Sequence, residues 1–144
     1  MEKKNNGILS RELVLEALPE NLQKVQSFVG ELLEEAACPM KTRMQIDVIV
    51  EEVFVNIAHY AYGKRRGKAA VRAEVSGEPP AVTVTFTDRG VPYNPLDRED
   101  PDVTLPAEAR EIGGLGIFMT KKLMDEVSYE YRDGRNILTL RKKL

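Results

Sequence analysis

Three short stretches of the chain carry side chains suited to holding a polyanion and its counter-cation. Glu52 and Asn56 lie four apart, so a helix would place both on one face. The amide oxygen of Asn56 suits a hard cation such as magnesium, which takes few protein ligands and completes its shell with waters and phosphates. Glu52 beside it has the chemistry of a general base. The same pair also fits the wet face of an amphipathic helix, although polar groups bordering an apolar face need partners, at about 1–3 kcal/mol for each one left unpaired. Asp88 ends the run Val82-Thr83-Val84-Thr85-Phe86-Thr87 and shares the parity of Val82, Val84 and Phe86, so in a strand its carboxylate lies on their side. A carboxylate there can accept a hydrogen bond from an exocyclic amine such as that of adenine, and Gly90 lets the backbone approach a ligand closely. The other reading is an Asx turn closing the strand. Gly113-Gly114-Leu115-Gly116 leaves backbone N–H groups open to phosphate at a helix N-terminus, or else forms a hinge. It matches neither GxxxxGK[ST] nor GxGxxG, so neither fingerprint applies.

These stretches need a helix, a strand end and a loop-to-helix junction. Residues 8–16, with Leu13, Val14 and Leu15, read as a short strand. Pro19-Glu20-Asn21 opens a helix, with proline and an acid in its first turn. Leu22, Val25, Phe28, Val29, Leu32, Leu33 and Ala36 recur at helical spacing, and Pro39 closes that helix. A second helix is expected from about Lys41 to about Tyr62, with Ile46, Ile49, Val50, Val53, Ile57 and Ala61 as its apolar face. Gly63-Lys64-Arg65-Arg66-Gly67-Lys68 is a basic turn, either a solvated loop or a binding surface. Two alternating strands follow, around Val71–Val75 and Val82–Phe86. The proline-broken stretch from Gly90 to Gly114 is long for an idle loop. A helix then carries Leu115, Phe118, Met119 and Leu123. Val127, Tyr129 and Tyr131 alternate in a strand, Asp133-Gly134 is a hairpin turn, and Ile137–Leu140 form the last strand. This order predicts an α/β (α+β) two-layer sandwich, a mostly antiparallel mixed sheet with helices on one face.

With 144 residues, the chain reads as one domain spanning 1–144 and able to bury roughly 70% of its unfolded surface. Hydrophobic residues make up 42% and charged residues 31%, as in a globular protein rather than a disordered one. A net charge of -2 gives no global pull toward nucleic acid or an anionic membrane. The single cysteine, Cys38, has no partner for an internal disulfide and reads as a core or helix-end residue. The polar start Met1–Asn6 argues against a signal peptide. No apolar run approaches the ~20 residues of a membrane span, and the cytoplasm is the expected location.

Taken together, the three stretches resemble the motifs of the GHKL (Bergerat-fold) ATPases. Glu52-Val53-Phe54-Val55-Asn56 is similar to the N box, Asp88-Arg89-Gly90-Val91-Pro92-Tyr93-Asn94-Pro95 to the first glycine box, and Gly113-Gly114-Leu115-Gly116-Ile117 to the second. The tail after Gly90, and the run from Gly114 through Leu123-Met124-Asp125-Glu126-Val127 into the hairpin, resemble the bacterial anti-sigma-factor serine/threonine kinases. The likeness covers roughly residues 10–143. It implies ATP and Mg2+ as ligands, with Asn56 holding the metal and Glu52 taking the proton of an incoming serine hydroxyl. Asp88 would read adenine, with Gly90 giving the base room. Gly113, Gly114, Leu115 and Gly116 would border the phosphates under a lid over 96–112. It further implies a protein serine kinase that phosphorylates a STAS-domain antagonist and sequesters a sigma factor, with homodimerisation plausible and no direct contact with nucleic acid or membrane. The alternative is a catalytically silent, nucleotide-binding partner-switching module of the same fold. A histidine-kinase or gyrase-like ATPase fits less well, for want of room for a phosphoacceptor or transducer domain. Family members often carry His four residues after the N-box Asn; here Tyr60 stands there and His59 is one position early, so His59 reads as an ordinary helix residue. Arg98 and Arg110 fall in the lid, and Lys121 and Lys122 read as helix-surface charges.

Overall fold

The computed structural model describes residues 3–5, 8–97 and 120–144. Its strands are β1 (Lys3–Asn5), β2 (Ile8–Glu16), β3 (Lys68–Ser76), β4 (Ala81–Asp88), β5 (Glu126–Arg132) and β6 (Arg135–Lys143), and its long helices are α1 (Leu22–Glu35) and α2 (Met40–Tyr60). They form one sheet in the order β1-β2-β3-β4-β6-β5, with every pairing antiparallel. The expected two-layer architecture is present, and no parallel pair occurs among the described residues. β1 was not foreseen: its residues are polar, and backbone pairing to β2 makes it a strand.

Alternation fixes which side of the sheet is covered. Leu9, Leu13 and Leu15 of β2 lie opposite Val75, Val71 and Ala69 of β3, and Val71, Ala73 and Val75 lie opposite Phe86, Val84 and Val82 of β4. Leu138 and Leu140 of β6 continue the row opposite Phe86 and Val84. This face joins Val25, Val29, Leu32 and Leu33 of α1 and Ile46, Ile49, Val50, Val53 and Phe54 of α2 in one core. A fully buried aliphatic or aromatic side chain contributes about 1.5–3 kcal/mol, so the two helices are held chiefly by these stripes. Phe54 lies just beside the apolar face read from spacing, yet it is wholly buried. The opposite sheet face carries Glu12, Arg72, Glu74, Thr83, Thr85 and Thr139, and no helix among the described residues covers it.

Termini and turns follow local chemistry. α1 begins after a 3-10 turn at Pro19–Asn21. Asp133 and Gly134 adopt φ of 54° and 75°, the left-handed pair of a tight two-residue hairpin. Residues 120–123 are helical, and the Lys142 ammonium caps that turn by donating to the Leu123 carbonyl at 2.6 Å. Among the described residues no helix is long and apolar enough to cross a membrane.

Candidate functional site

The carboxyl end of β4 meets the carboxyl end of α2, and a cleft opens between them. It is lined by Val53, Asn56, Ile57 and Tyr60 of α2, Asp88 of β4, and Tyr129 and Asn136 of the closing hairpin, among others. The cleft is open to solvent. Apolar walls with a few convergent polar groups suit a flat heterocycle whose edge is read by hydrogen bonds.

Asp88 is the polar centre. It is 6% exposed because it continues the inward parity of Val84 and Phe86. Its Oδ1 accepts from the Gly90 N–H at 2.8 Å and from the Asn136 amide at 3.0 Å. The first bond is the Asx turn; the second comes from the strand opposite, since Asp88 and Asn136 are partners in the β4–β6 register. Oδ2 accepts no bond among the described residues, and no fully buried side-chain oxygen there lacks a partner. Oδ2 therefore meets open space, ready to accept from a ligand N–H. The turn and the ligand-reading role are compatible, because they use different oxygens.

Asn136 holds the site together and was not singled out in the sequence. It is 7% exposed. Its NH2 also donates to the Val91 carbonyl at 2.9 Å. Its Oδ1 accepts from the Tyr93 N–H at 3.1 Å and from the Tyr129 hydroxyl. One amide thus ties together β4, the loop after it and β5. A buried amide would cost about 1–3 kcal/mol if unpaired, and this one is fully used. The only hint in the sequence was an Asn among alternating apolar residues of the last strand.

Gly90 is required, but its close neighbour is protein. A Cβ there would lie 2.0 Å from the Ala61 carbonyl oxygen. The contact is fastened by the Val91 N–H donating to that same carbonyl at 2.8 Å. Tyr62 adds a second tie: its hydroxyl donates to the Lys68 carbonyl at 2.6 Å and accepts from the Arg89 N–H at 2.8 Å. Gly67 packs so tightly on that ring that a Cβ would fall 2.3 Å from it. The end of α2, the start of β3 and the loop after β4 are one braced unit.

Asn56 lines the cleft, and its Nδ2 donates to Glu52 Oε1 at 3.4 Å. That bond turns the amide oxygen away from Glu52 and leaves it free for a cation. Glu52 is half-buried, one turn back along α2, and is not among the cleft-lining residues. His59 is exposed and takes no part. No group of three or more His, Cys, Asp or Glu gathers for a metal among the described residues, so a cation here would depend on Asn56, waters and ligand oxygens, a set that fits magnesium. Gly113, Gly114, Leu115, Gly116, Arg98, Arg110 and most of the 96–112 lid lie outside the described residues. Cys38 packs on the core's edge at the end of α1; burial pushes its thiol pKa up, partly opposed by the Arg43 charge, the reverse of what a nucleophile needs.

Known proteins resemble this chain in sequence and in fold. The model of the family described as "Histidine kinase-like ATPase domain" matches residues 15–142. The serine/threonine-protein kinase BtrW of Bordetella bronchiseptica is 26% identical over 100 residues, covering 69% of this chain and 70% of that protein. The serine-protein kinase RsbW of Listeria monocytogenes is 26% identical over 131 residues, covering 88% of this chain and 82% of that one. Among solved structures, the RsbU and RsbW domains of Rv1364c from Mycobacterium tuberculosis superpose with a TM-score of 0.67 at 19% identity, over 94% of this chain and 32% of that one, a likeness of fold. The family match runs from the end of β2 to the end of β6 and takes in the whole cleft, so this chain belongs to the histidine kinase-like ATPase domain family.

Proposed function

We propose that the chain is an ATP-dependent protein serine kinase that acts as an anti-sigma factor in the cytoplasm. In this reading it phosphorylates a STAS-domain antagonist and sequesters a sigma factor, as a homodimer. The observation that carries it is one cleft with Asn56 on one wall and Asp88 on the other, and with Glu52, outside the lining, 3.4 Å from the Asn56 amide. Two relatives bearing kinase names, RsbW and BtrW, support the same direction.

The residues divide the work. Asp88 Oδ2 accepts from the adenine amine, and the apolar walls hold the ring. Asn56 would hold magnesium, which supplies neutralisation of phosphate charge when bound, and Gly113, Gly114, Leu115 and Gly116 would border the phosphates. Glu52 accepts the proton of the incoming serine hydroxyl. The serine oxygen forms the new bond to the terminal phosphorus, the bond to the bridging oxygen breaks, and ADP leaves. Phosphoryl transfer asks mainly for positioning and charge neutralisation. Incubation with labelled ATP and an antagonist encoded nearby should transfer phosphate to serine; Glu52→Gln should abolish transfer while sparing nucleotide binding. Absence of transfer to every such antagonist would overturn the kinase reading.

One observation favours a second reading. Glu52 does not line the cleft, and its carboxylate is already engaged by Asn56. A silent nucleotide-binding switch would have this arrangement. It would bind ATP and a partner with no transfer, and Glu52→Gln would then change nothing.

A further inference from the structure

The uncovered face of the sheet carries a second depression at the carboxyl end of β4, which adjoins the nucleotide cleft and shares Asp88 with it. Val14, Ala70 and Thr87 are among its lining residues, as are Lys68, Arg89 and Arg135. Val14 is 56% exposed although it is a strand valine. The adjoining turn adds Lys64, Arg65 and Arg66. These six cations come from three separate parts of the chain; Lys68, Arg89 and Arg135 share the lining with the acids Glu12 and Asp88, in a chain of net charge -2. Arg66 pairs with Glu16 at 3.5 Å. Lys64, Arg65, Lys68, Arg89 and Arg135 make no ion pair among the described residues. Like charges gathered without partners repel one another, and here their backbone is braced. Tyr62 bonds the Lys68 carbonyl and the Arg89 N–H, and the Ala17 N–H donates to the Gly67 carbonyl at 2.8 Å.

We propose that this depression is a docking surface for an acidic polypeptide segment of a partner protein, one that places an apolar side chain over Val14 and Ala70 between carboxylates reaching Lys68, Arg89 and Arg135. Charge complementarity selects an anionic partner, and the apolar floor selects polypeptide over nucleic acid. Tyr62, the lone aromatic in the lining, has its ring packed on Gly67 and its hydroxyl bonded twice, so no free platform exists on which a base could stack. The inference holds whether or not the chain transfers phosphate.

Fluorescence anisotropy with a short labelled peptide of repeating Glu-Glu-Leu tests it. Lys68→Glu with Arg135→Glu is the patch variant, and Lys24→Glu with Lys41→Glu on the helical side is a control of equal charge change. The peptide should bind the native chain, lose at least about tenfold in affinity to the patch variant, and change little with the control. Binding should weaken as salt shortens the Debye length from ~30 Å toward ~8 Å. Thermal melts verify folding; should the reversal unfold the chain, Lys68→Gln with Arg135→Gln should still weaken the peptide measurably. Equal losses in patch and control variants would overturn the proposal. So would tighter binding of single-stranded DNA or anionic vesicles than of peptide. Self-association that disappears in the patch variant by sedimentation would instead assign the face to a second copy and also overturn it.

Discussion

Asp88 and Asn136 form the smallest unit on which the site depends. Asn136→Leu keeps the volume of the side chain but removes the bonds that Asn136 makes to Asp88, the Tyr93 N–H and the Val91 carbonyl. A loss of ~2–3 kcal/mol in urea unfolding is expected, together with weaker ATP binding, because Asp88 loses the bond that orients it. Cys38 makes an opposite kind of prediction. Burial raises its thiol pKa in the folded chain, so the folded state holds its proton after the unfolded chain has released it. Stability therefore declines slightly as pH rises through the ordinary thiol range near ~8.5. Alkylation by iodoacetamide, followed against pH, should show its inflection at higher pH in the folded chain than in urea; an inflection below the ordinary thiol value would contradict the assignment. Asp88 was legible from strand parity alone. Asn136 was not, because its role depends on the register that sets it opposite a residue 48 positions away.

At the scale of elements, the braced unit at the end of α2 decides where the cleft opens. Gly90→Ala would put a methyl group 2.0 Å from a backbone oxygen that cannot move aside. The loop must then separate from α2, breaking the Val91 bond to Ala61. We expect a clear fall in melting temperature, equivalent to ~1–3 kcal/mol, and impaired nucleotide binding. Tyr62→Phe removes one hydroxyl and two backbone bonds, for a loss of ~1 kcal/mol at this half-buried position; circular-dichroism melts of both variants check the order. Glycine at position 90 was legible as a close approach, but its neighbour was not, since only the assembled fold brings the Ala61 carbonyl there. α1, α2, β2 to β6 and the Asp133-Gly134 hairpin were legible from periodicity and turn chemistry, while most of the helix expected from Gly114 lies outside the described residues. β1 lacks an apolar signal and depends on pairing, and Phe54 is buried because α1 lies beside α2 and widens the covered arc.

For the molecule as a whole, the proposed nucleotide cleft and the proposed docking surface share one end of a two-faced sheet. The covered face ends in a cleft into which Asp88 Oδ2 opens, and the open face presents cations that make no ion pair among the described residues near the same end of β4. The account rests on that cleft holding ATP with magnesium. The most direct test is a calorimetric titration of the native chain and of Asp88→Ala with magnesium and ATP. The native chain should show one site, and the variant should bind at least ~10-fold more weakly, the cost of a hydrogen bond to a charged acceptor. Equal affinity in the two proteins, or no heat of binding in the native chain, would contradict the account.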